Sequence, residues 1–227
     1  MRFRDQMRQA FDPRRTAGAA ILAAGLLALV AGCGSASTPP AAIARPTRTH
    51  WSSPPAMTLN LRLHYTAVVA TSLGTFDITL FARRDPLAVN NFVFLARHNF
   101  YNGLRIFRIV PHFVFQTGDP KNDGLGGPGY YVKDELPPTV AYGPGVVAYA
   151  NNGPNRNGSQ FFVCTGSQST SLNQDPVFTE IGQVTAATMG VVRRIGSVPV
   201  TYNPAFQETS KPVHPVTVLS VTIKTAS

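Results

Sequence analysis

Short runs of β-branched and aromatic residues, separated by turn residues, dominate the chain after residue 60. Residues 65–71 and 75–81 are two such runs, and Ser72, Leu73 and Gly74 between them have the composition of a hairpin turn. Further strands are predicted for residues 105–110, 113–118, 146–150, 159–165, 177–184 and 216–225. The pattern therefore predicts many more strands than helices.

Two segments have a helical pattern instead. Asp85 and Pro86 are typical of an N-cap and a first helical position, and a broad apolar face follows them until Asn99 or Gly103. A second helix is predicted for residues 185–195, stopped by Gly196. Because the strands mostly do not alternate with helices, the pattern favours an antiparallel barrel, which removes its edges by closing. The two helices would cover its open ends.

The first 32 residues have the pattern of a secretion signal. Basic residues come first, and no charged residue lies between Thr16 and Cys33. The apolar run is shorter than the ~20 residues of a membrane span and is typical of a signal-peptide h-region. Residues 30–33, VAGC, resemble the lipobox of bacterial lipoproteins, so residues 1–32 are predicted to be a lipoprotein signal peptide and Cys33 the lipid-bearing residue. An uncleaved anchor helix is the alternative.

Residues 33–60 are predicted to be a flexible Ser/Thr/Pro/Ala tether, with the domain following at 61–227. Trp51 is left open between packing on the domain and lying at the membrane interface. The expected location is extracytoplasmic, on a bacterial cell membrane, with lipid on Cys33 as the anchor.

Net charge and side-chain chemistry exclude several functions. The net charge of +9 is scattered, so it does not form the basic cluster of a nucleic-acid-binding protein. The five histidines are dispersed, and the GxSxG, HExxH and phosphate-loop patterns are all missing from the sequence. No metal and no cofactor is therefore predicted. Cys164 is expected to be a buried, inert hydrophobe.

Residues 151–165, NNGPNRNGSQFFVCT, change abruptly from small amides to apolar side chains. This change would suit the wall of a groove, with backbone and amides on one side and rings on the other. Residues 105–120, RIFRIVPHFVFQTGDP, and 170–178, TSLNQDPVF, have a similar mixture, and a glycine-rich loop lies at 124–129.

These segments resemble the cyclophilin family of peptidyl-prolyl isomerases. FRIVPHFVFQTGDP matches that family's F-H-R-V-I-P-G-F-x-x-Q-G-G-D run, and ANNGPNRNGSQFF matches its A-N-x-G-P-N-T-N-G-S-Q-F-F signature. The resemblance spans about residues 64–225. It implies an all-β fold, a closed eight-stranded antiparallel β-barrel capped by two α-helices. It also implies a monomer that isomerises X-Pro bonds in proline-containing polypeptides.

The resemblance also implies roles for individual residues. Arg108 would donate toward the proline amide nitrogen, with Gln116 orienting it and Phe113 completing the catalytic set. The remaining substrate-binding residues would be Val114, Gly124, Ala150, Asn151, Asn152, Gln160, Phe162, Leu172 and Phe178. Of these, Val114, Phe162 and Leu172 would form the proline pocket with Phe113, while the backbone of Asn151 would pair with the peptide.

The sequence departs from the family at several of these positions. Phe107 replaces the His before the catalytic Arg, and His112 replaces a Gly. Ser171 replaces the Trp of cyclosporin-sensitive members, so weak sensitivity is expected. The loop after Leu172 is two residues longer, and the pocket's last His is replaced by Phe178, with Pro176 as the ungapped choice.

Two functions remain open from the sequence. The first is a lipid-anchored isomerase that assists the folding of exported or surface proteins. The second is a membrane-tethered proline-peptide-binding module or chaperone with little turnover. The change at Phe107 and the altered 172–178 loop support the second, whereas the retained Arg108, Gln116 and Phe113 support the first.

Overall fold

The computed structural model describes Ile43, Pro46 and residues 49–227. The predicted signal peptide lies outside these residues, as do Cys33, the predicted site of lipid attachment, and most of the predicted tether. Within the part described, no helix has the length and apolar character needed to cross a bilayer.

The elements of residues 49–227 follow one another as ten strands with two α-helices and two 3-10 helices. The strands are β1 (His64–Thr71), β2 (Gly74–Leu80), β3 (Arg108–Val110), β4 (Val114–Thr117), β5 (Val146–Tyr149), β6 (Phe161–Cys164), β7 (Glu180–Val184), β8 (Val200–Asn203), β9 (Glu208–Pro212) and β10 (Val218–Ala226). The helices are α1 (Pro86–Arg97), between β2 and β3, and α2 (Met189–Gly196), between β7 and β8. The 3-10 helices are Ser167–Gln174 and Ala186–Thr188.

Eight strands form one curled antiparallel sheet in the order β10-β1-β2-β7-β5-β6-β4-β3. The expected number of strands and their antiparallel pairing are confirmed, but the expected closure is wrong. Strand β3 has three residues, and the chain before it meets the start of β10 at a bridge between Arg105 and Thr217 instead of a ladder. Backbone bonds of 2.9 Å from Ile106 N to Val216 O and 2.8 Å from Val218 N to Leu104 O flank that bridge. The sheet is therefore a half-barrel.

The main core fills the concave side of this sheet. In β1 the side chains alternate between buried and partly exposed, as expected for a strand with one face on the core. Helix α1 packs on the same core through Val89, Phe92 and Leu95, which are fully buried. Phe92 stacks on Tyr101 with ring centroids 5.1 Å apart. The helix predicted to begin at Pro86 is thus confirmed, and it ends at Arg97, before the predicted stop at Asn99 or Gly103.

The start of α1 is capped by a residue that the sequence pattern did not indicate. Asp85 occupies the N-cap position, but its side chain makes no capping hydrogen bond. Instead, Glu135 accepts hydrogen bonds from the backbone N–H groups of Leu87, at 3.0 Å, and Ala88, at 2.9 Å. A carboxylate at a helix N-terminus is stabilised by the helix dipole.

The segment before β1 packs on the domain, although the sequence placed residues 33–60 in a tether. Trp51 is buried, lies edge-on to Phe94 with centroids 5.3 Å apart, and donates its backbone N–H to Pro128 O at 2.8 Å. Further along, Thr58 N donates to Oδ1 of Asn90 at 2.9 Å. The packed part of the chain therefore extends back at least to Trp51.

Strands β8 and β9 form a two-stranded sheet of their own, which was not predicted. They pair antiparallel, from Val200 opposite Pro212 to Asn203 opposite Glu208. The turn between them contains Asn203-Pro204, a dipeptide typical of turns. This signal lies within residues 196–215, to which the sequence reading assigned no structure.

Burial of Asp85 makes the stability of the fold depend on pH. Its side chain is buried, and desolvation, followed by the charges of Glu135 and Glu180, raises its pKa from 3.8 to about 7. The unfolded chain ionises Asp85 near its ordinary pKa, so its ionisation disfavours the folded state. That cost is complete above pH 7 and declines as the pH falls from 7 toward 4.

We therefore expect Asp85→Asn to raise the free energy of unfolding relative to the parent, by ~2 kcal/mol more at pH 8 than at pH 5. Urea unfolding of both proteins at the two pH values measures this difference. An equal difference at both pH values would contradict the raised pKa.

Candidate active site

Arg108 lies on β3 at one end of a chain of buried amides. Its register partner on β4 is Gln116, and Nη1 of Arg108 donates to Oε1 of Gln116 at 3.3 Å. Gln116 in turn donates to Oε1 of Gln160 at 2.9 Å, and Gln160 donates to the carbonyls of Gly124 and Gly126, both at 2.8 Å. The pairing of β3, β4 and β6, together with the glycine-rich loop, thus brings together Arg108, Gln116, Gln160 and Gly124.

An apolar cluster adjoins this chain of amides. Its buried members are Phe113, Val114, Tyr142, Val146, Ala148, Ala150, Phe162, Cys164, Leu172 and Phe178. Phe162 is the register partner of Gln116 across β4 and β6, which places the cluster directly beside the Arg108 network. Phe162 and Phe178 meet edge to face with centroids 5.4 Å apart.

Phe178 rather than Pro176 belongs to the cluster, since Pro176 is exposed. Tyr142, which the sequence reasoning missed, holds Phe178 in place. Its hydroxyl donates to Phe178 O at 2.5 Å and accepts from Phe178 N at 3.1 Å. The position of Ser171 is also defined: it is exposed, and its hydroxyl donates to Gln168 O at 2.8 Å.

The amide wall expected from residues 150–160 lines an open pocket of about 490 Å³. Ala150, Asn151, Asn152 and Gln160 contribute to its lining. Asn151 is buried, and its side-chain amide donates to Oδ1 of Asn157 at 3.1 Å. The backbone of this wall is therefore held in place, as a surface that receives an extended peptide requires.

Asp119 organises the glycine-rich loop that carries Gly124. Its carboxylate accepts from the backbone N–H groups of Lys121 at 2.7 Å, Asp123 at 3.2 Å and Gly124 at 2.6 Å. Burial raises the pKa of Asp119, and hydrogen bonds from the backbone of Lys121, Gly126 and Gly124 oppose that shift. The sequence motif contains this Asp, but its role depends on a folded loop that spacing alone does not define.

The β8–β9 hairpin lies over Arg108. Glu208 accepts from Nε of Arg108 at 2.5 Å and from Nη2 at 3.2 Å. The ring of Phe206 lies 5.3 Å from the Arg108 guanidinium carbon and stacks on Phe107 with centroids 5.9 Å apart. The Phe at 107, where the family has His, is therefore a stacking partner of the hairpin.

Phe206 also contacts the opposite side of the site. A Cβ added to Gly124, which has φ +86°, would lie 2.8 Å from the tip of the Phe206 ring. Glycine at 124 thus suits both the positive φ and the lack of space for a side chain beside Phe206. Arg108 itself has 0% exposure beneath this cover.

The structure also defines the surroundings of Cys164 and the backbone conformation of His112. Cys164 is buried as expected, and burial raises its pKa to about 12, so it is a neutral thiol at physiological pH. His112 adopts φ +62°, a conformation that favours glycine, at the position where the family has Gly.

Comparison with known proteins agrees with this geometry. The sequence profile of the family described as cyclophilin type peptidyl-prolyl cis-trans isomerase/CLD matches residues 66–223. The chain belongs to the cyclophilin-type peptidyl-prolyl cis-trans isomerases.

Two similar proteins of this family come from a fungus and a plant. Over 132 residues the chain is 38% identical to peptidyl-prolyl cis-trans isomerase-like 1 of Aspergillus niger, covering 56% of this chain and 79% of the relative. Over 171 residues it is 33% identical to a peptidyl-prolyl cis-trans isomerase of Arabidopsis thaliana, covering 74% of this chain and 92% of the relative.

Solved structures resemble it as well. A cyclophilin type peptidyl-prolyl cis-trans isomerase of Cryptosporidium parvum superposes with a TM-score of 0.63 at 24% identity, covering 72% of this chain and 99% of that one. A structure of the same protein in the presence of the dipeptide Ala-Pro gives 0.62 at 25% identity, covering 70% of this chain and 98% of that one. The cyclophilin-like fold expected from the sequence is thus confirmed, although its sheet is an open half-barrel instead of a closed barrel.

Proposed function

We propose that this cyclophilin isomerises X-Pro bonds in exported or surface proteins, with Arg108 as the catalytic donor. The observation that carries this proposal is the adjacency of two groups of residues. A buried guanidinium held by Gln116 borders an apolar cluster of the kind that accepts a proline ring. The amide wall around Asn151 would receive the flanking backbone as an added strand.

The chemistry needs no cofactor and no covalent step. Rotation about the X-Pro bond must cross a barrier of ~18–20 kcal/mol because amide resonance is lost on the way. A catalyst has only to bind the twisted amide more tightly than either planar form. Arg108 would donate a hydrogen bond to the amide nitrogen, whose lone pair becomes available as conjugation is lost. The planar guanidinium is always charged and has several donors in a fixed arrangement, which suits it to this task.

The proposed mechanism predicts that Arg108 carries the turnover. We expect the full-length protein in detergent to accelerate cis-to-trans isomerisation of an Ala-Pro-Phe peptide. Arg108→Ala should reduce kcat/KM by about 10²-fold or more, as is typical for loss of a pre-organised donor. Arg108→Lys keeps the positive charge but lacks the planar guanidinium. It therefore separates the contribution of the charge from that of the hydrogen-bond geometry.

The second candidate, a binding module with little turnover, is favoured by one observation. Arg108 has 0% exposure, so a bound peptide does not reach it without a movement of the protein. Peptide binding by a folded parent without acceleration of isomerisation would establish this candidate and contradict the catalytic one.

The proposed location depends on the N-terminal sequence. A lipid on Cys33 would hold the domain at the extracytoplasmic face of a bacterial membrane, and two acyl chains anchor a protein more firmly than one. Exported chains refold there, and uncatalysed proline isomerisation takes ~10–100 s at 25 °C. A tethered isomerase would shorten that step.

Cys33→Ser tests the anchor. In a bacterial host with lipoprotein processing, we expect the parent to incorporate labelled fatty acid and to sediment with membranes. The variant should lose the label and retain residues 1–32. Equal labelling of both proteins would contradict lipid attachment at Cys33.

A further inference from the structure

The β8–β9 hairpin is attached to the domain at its base and covers the candidate site with its tip. At the base, Val198 and Val200 pack against the main core, and Val213 N donates to Pro199 O at 2.9 Å. The two strands form a sheet separate from the eight-stranded one. A two-stranded hairpin alone is marginally stable, so contacts of the tip decide its position.

Contacts of three residues, Asn203, Phe206 and Glu208, hold the tip over the site. Glu208 accepts two hydrogen bonds from Arg108, at 2.5 and 3.2 Å. Phe206 stacks on Phe107 and closes against Gly124 on the opposite loop. Asn203 adds a 3.5 Å hydrogen bond to Phe107 O. The tip therefore spans the site from the strand that carries Arg108 to the loop that carries Gly124.

This arrangement leaves Arg108 out of reach of a substrate. Its side chain has 0% exposure, and that of Glu208 has 15%. A group that no solvent molecule touches does not contact a peptide unless its cover moves. Gln116, on the other side of Arg108, lies in β4, which is paired on both edges with β3 and β6. The hairpin belongs to a separate sheet, and its strand β9 lies beside β3 without a strand ladder to it.

We propose that the β8–β9 hairpin is a gate over the isomerase site, closed by the Arg108–Glu208 ion pair and opened when a proline peptide binds. The gate rests on the proposed function, since it regulates access to the same Arg108. In the closed state Glu208 occupies donors of Arg108 and compensates its buried charge. In the open state the peptide replaces Glu208 and Phe206 at the site.

Contacts of the hairpin both favour and oppose the closed state. A bidentate, charge-assisted pair favours closure, and so does the burial of Phe206. Against these, the hydroxyl of Ser210 on β9 is buried without a hydrogen-bond partner among the described residues, which destabilises the closed packing. Because peptide binds the open state, the apparent affinity is the intrinsic affinity multiplied by the open fraction.

Glu208→Gln tests the gate by weakening the ion pair with little change in shape. We expect kcat/KM for an Ala-Pro-Phe peptide to rise about tenfold, which corresponds to ~1.4 kcal/mol. Lys211→Gln is the matched control, because Lys211 is an exposed charged residue on the same strand. Its kcat/KM should equal that of the parent. Phe206→Ala is a second opening variant, used if Glu208→Gln does not fold.

A kcat/KM that is unchanged or lower in a folded Glu208→Gln protein overturns the gate. A lower value would make Glu208 a positioning residue for Arg108. Unfolding curves of each variant show whether it is folded.

A second measurement on the parent protein is independent of turnover. The NMR signal of the Arg108 Nε–H group reports its bond to Glu208. We expect saturation with an Ala-Pro-Phe peptide to shift this signal together with the amide signals of residues 203–208. Binding that shifts the signals of Phe113 and Phe162 but leaves Arg108 Nε–H and the hairpin unchanged overturns the gate.

These results distinguish failure of the gate from failure of the proposed function. A peptide that displaces the ion pair without turnover supports the gate and contradicts catalysis. Turnover with the ion pair intact supports catalysis and contradicts the gate. Binding only by the opening variants supports the gate, and binding by none of the proteins overturns it.

Discussion

A buried guanidinium is the constraint on which the rest of this site depends. Arg108 has 0% exposure, and an unpaired charge in such a place would cost several kcal/mol. The fold compensates it from two sides, with the Gln116 amide on the neighbouring strand and the Glu208 carboxylate from the hairpin. A residue of the sheet therefore binds one edge of the guanidinium, and a residue of the hairpin binds the other.

The two sides differ in how they are hydrogen-bonded to the main sheet. Gln116 is fixed by strand ladders on both edges of β4, and its amide is held by Gln160. Glu208 belongs to a hairpin that forms a separate sheet, with β9 beside β3 and its tip against Phe107. In our account the sheet side organises the chemistry and the hairpin side controls access. One residue, Arg108, is thus shared by the catalytic proposal and the gate.

Sequence motifs located the residues on the sheet side of Arg108 but not those on the β8–β9 hairpin. Arg108, Gln116, Gln160 and Phe162 lie in two long motifs, and antiparallel pairing of their strands is enough to bring them together. Glu208 is 100 residues from Arg108 in the chain. Its strand is short and polar, so neither hydrophobic pattern nor spacing indicated the contact.

Other misses have equally local causes. Glu135 caps α1 although it lies 48 residues from Leu87 in the chain. Asp85, the cap expected from the sequence, is instead a buried acid with a raised pKa. Closure of the barrel failed because β3 is only three residues long. The sequence left the position of Trp51 open because its neighbours are mostly Ser, Thr and Pro, and the structure places its ring edge-on against Phe94 of α1.

The most direct test of the account is a crystal structure of the protein with a bound Ala-Pro-Phe peptide. We predict that the proline ring lies against Phe113 and Phe162, with Arg108 donating toward the proline nitrogen and Glu208 no longer bonded to it. A proline ring bound away from this cluster, or bound there with the Arg108–Glu208 pair and its cover unchanged, would contradict the account.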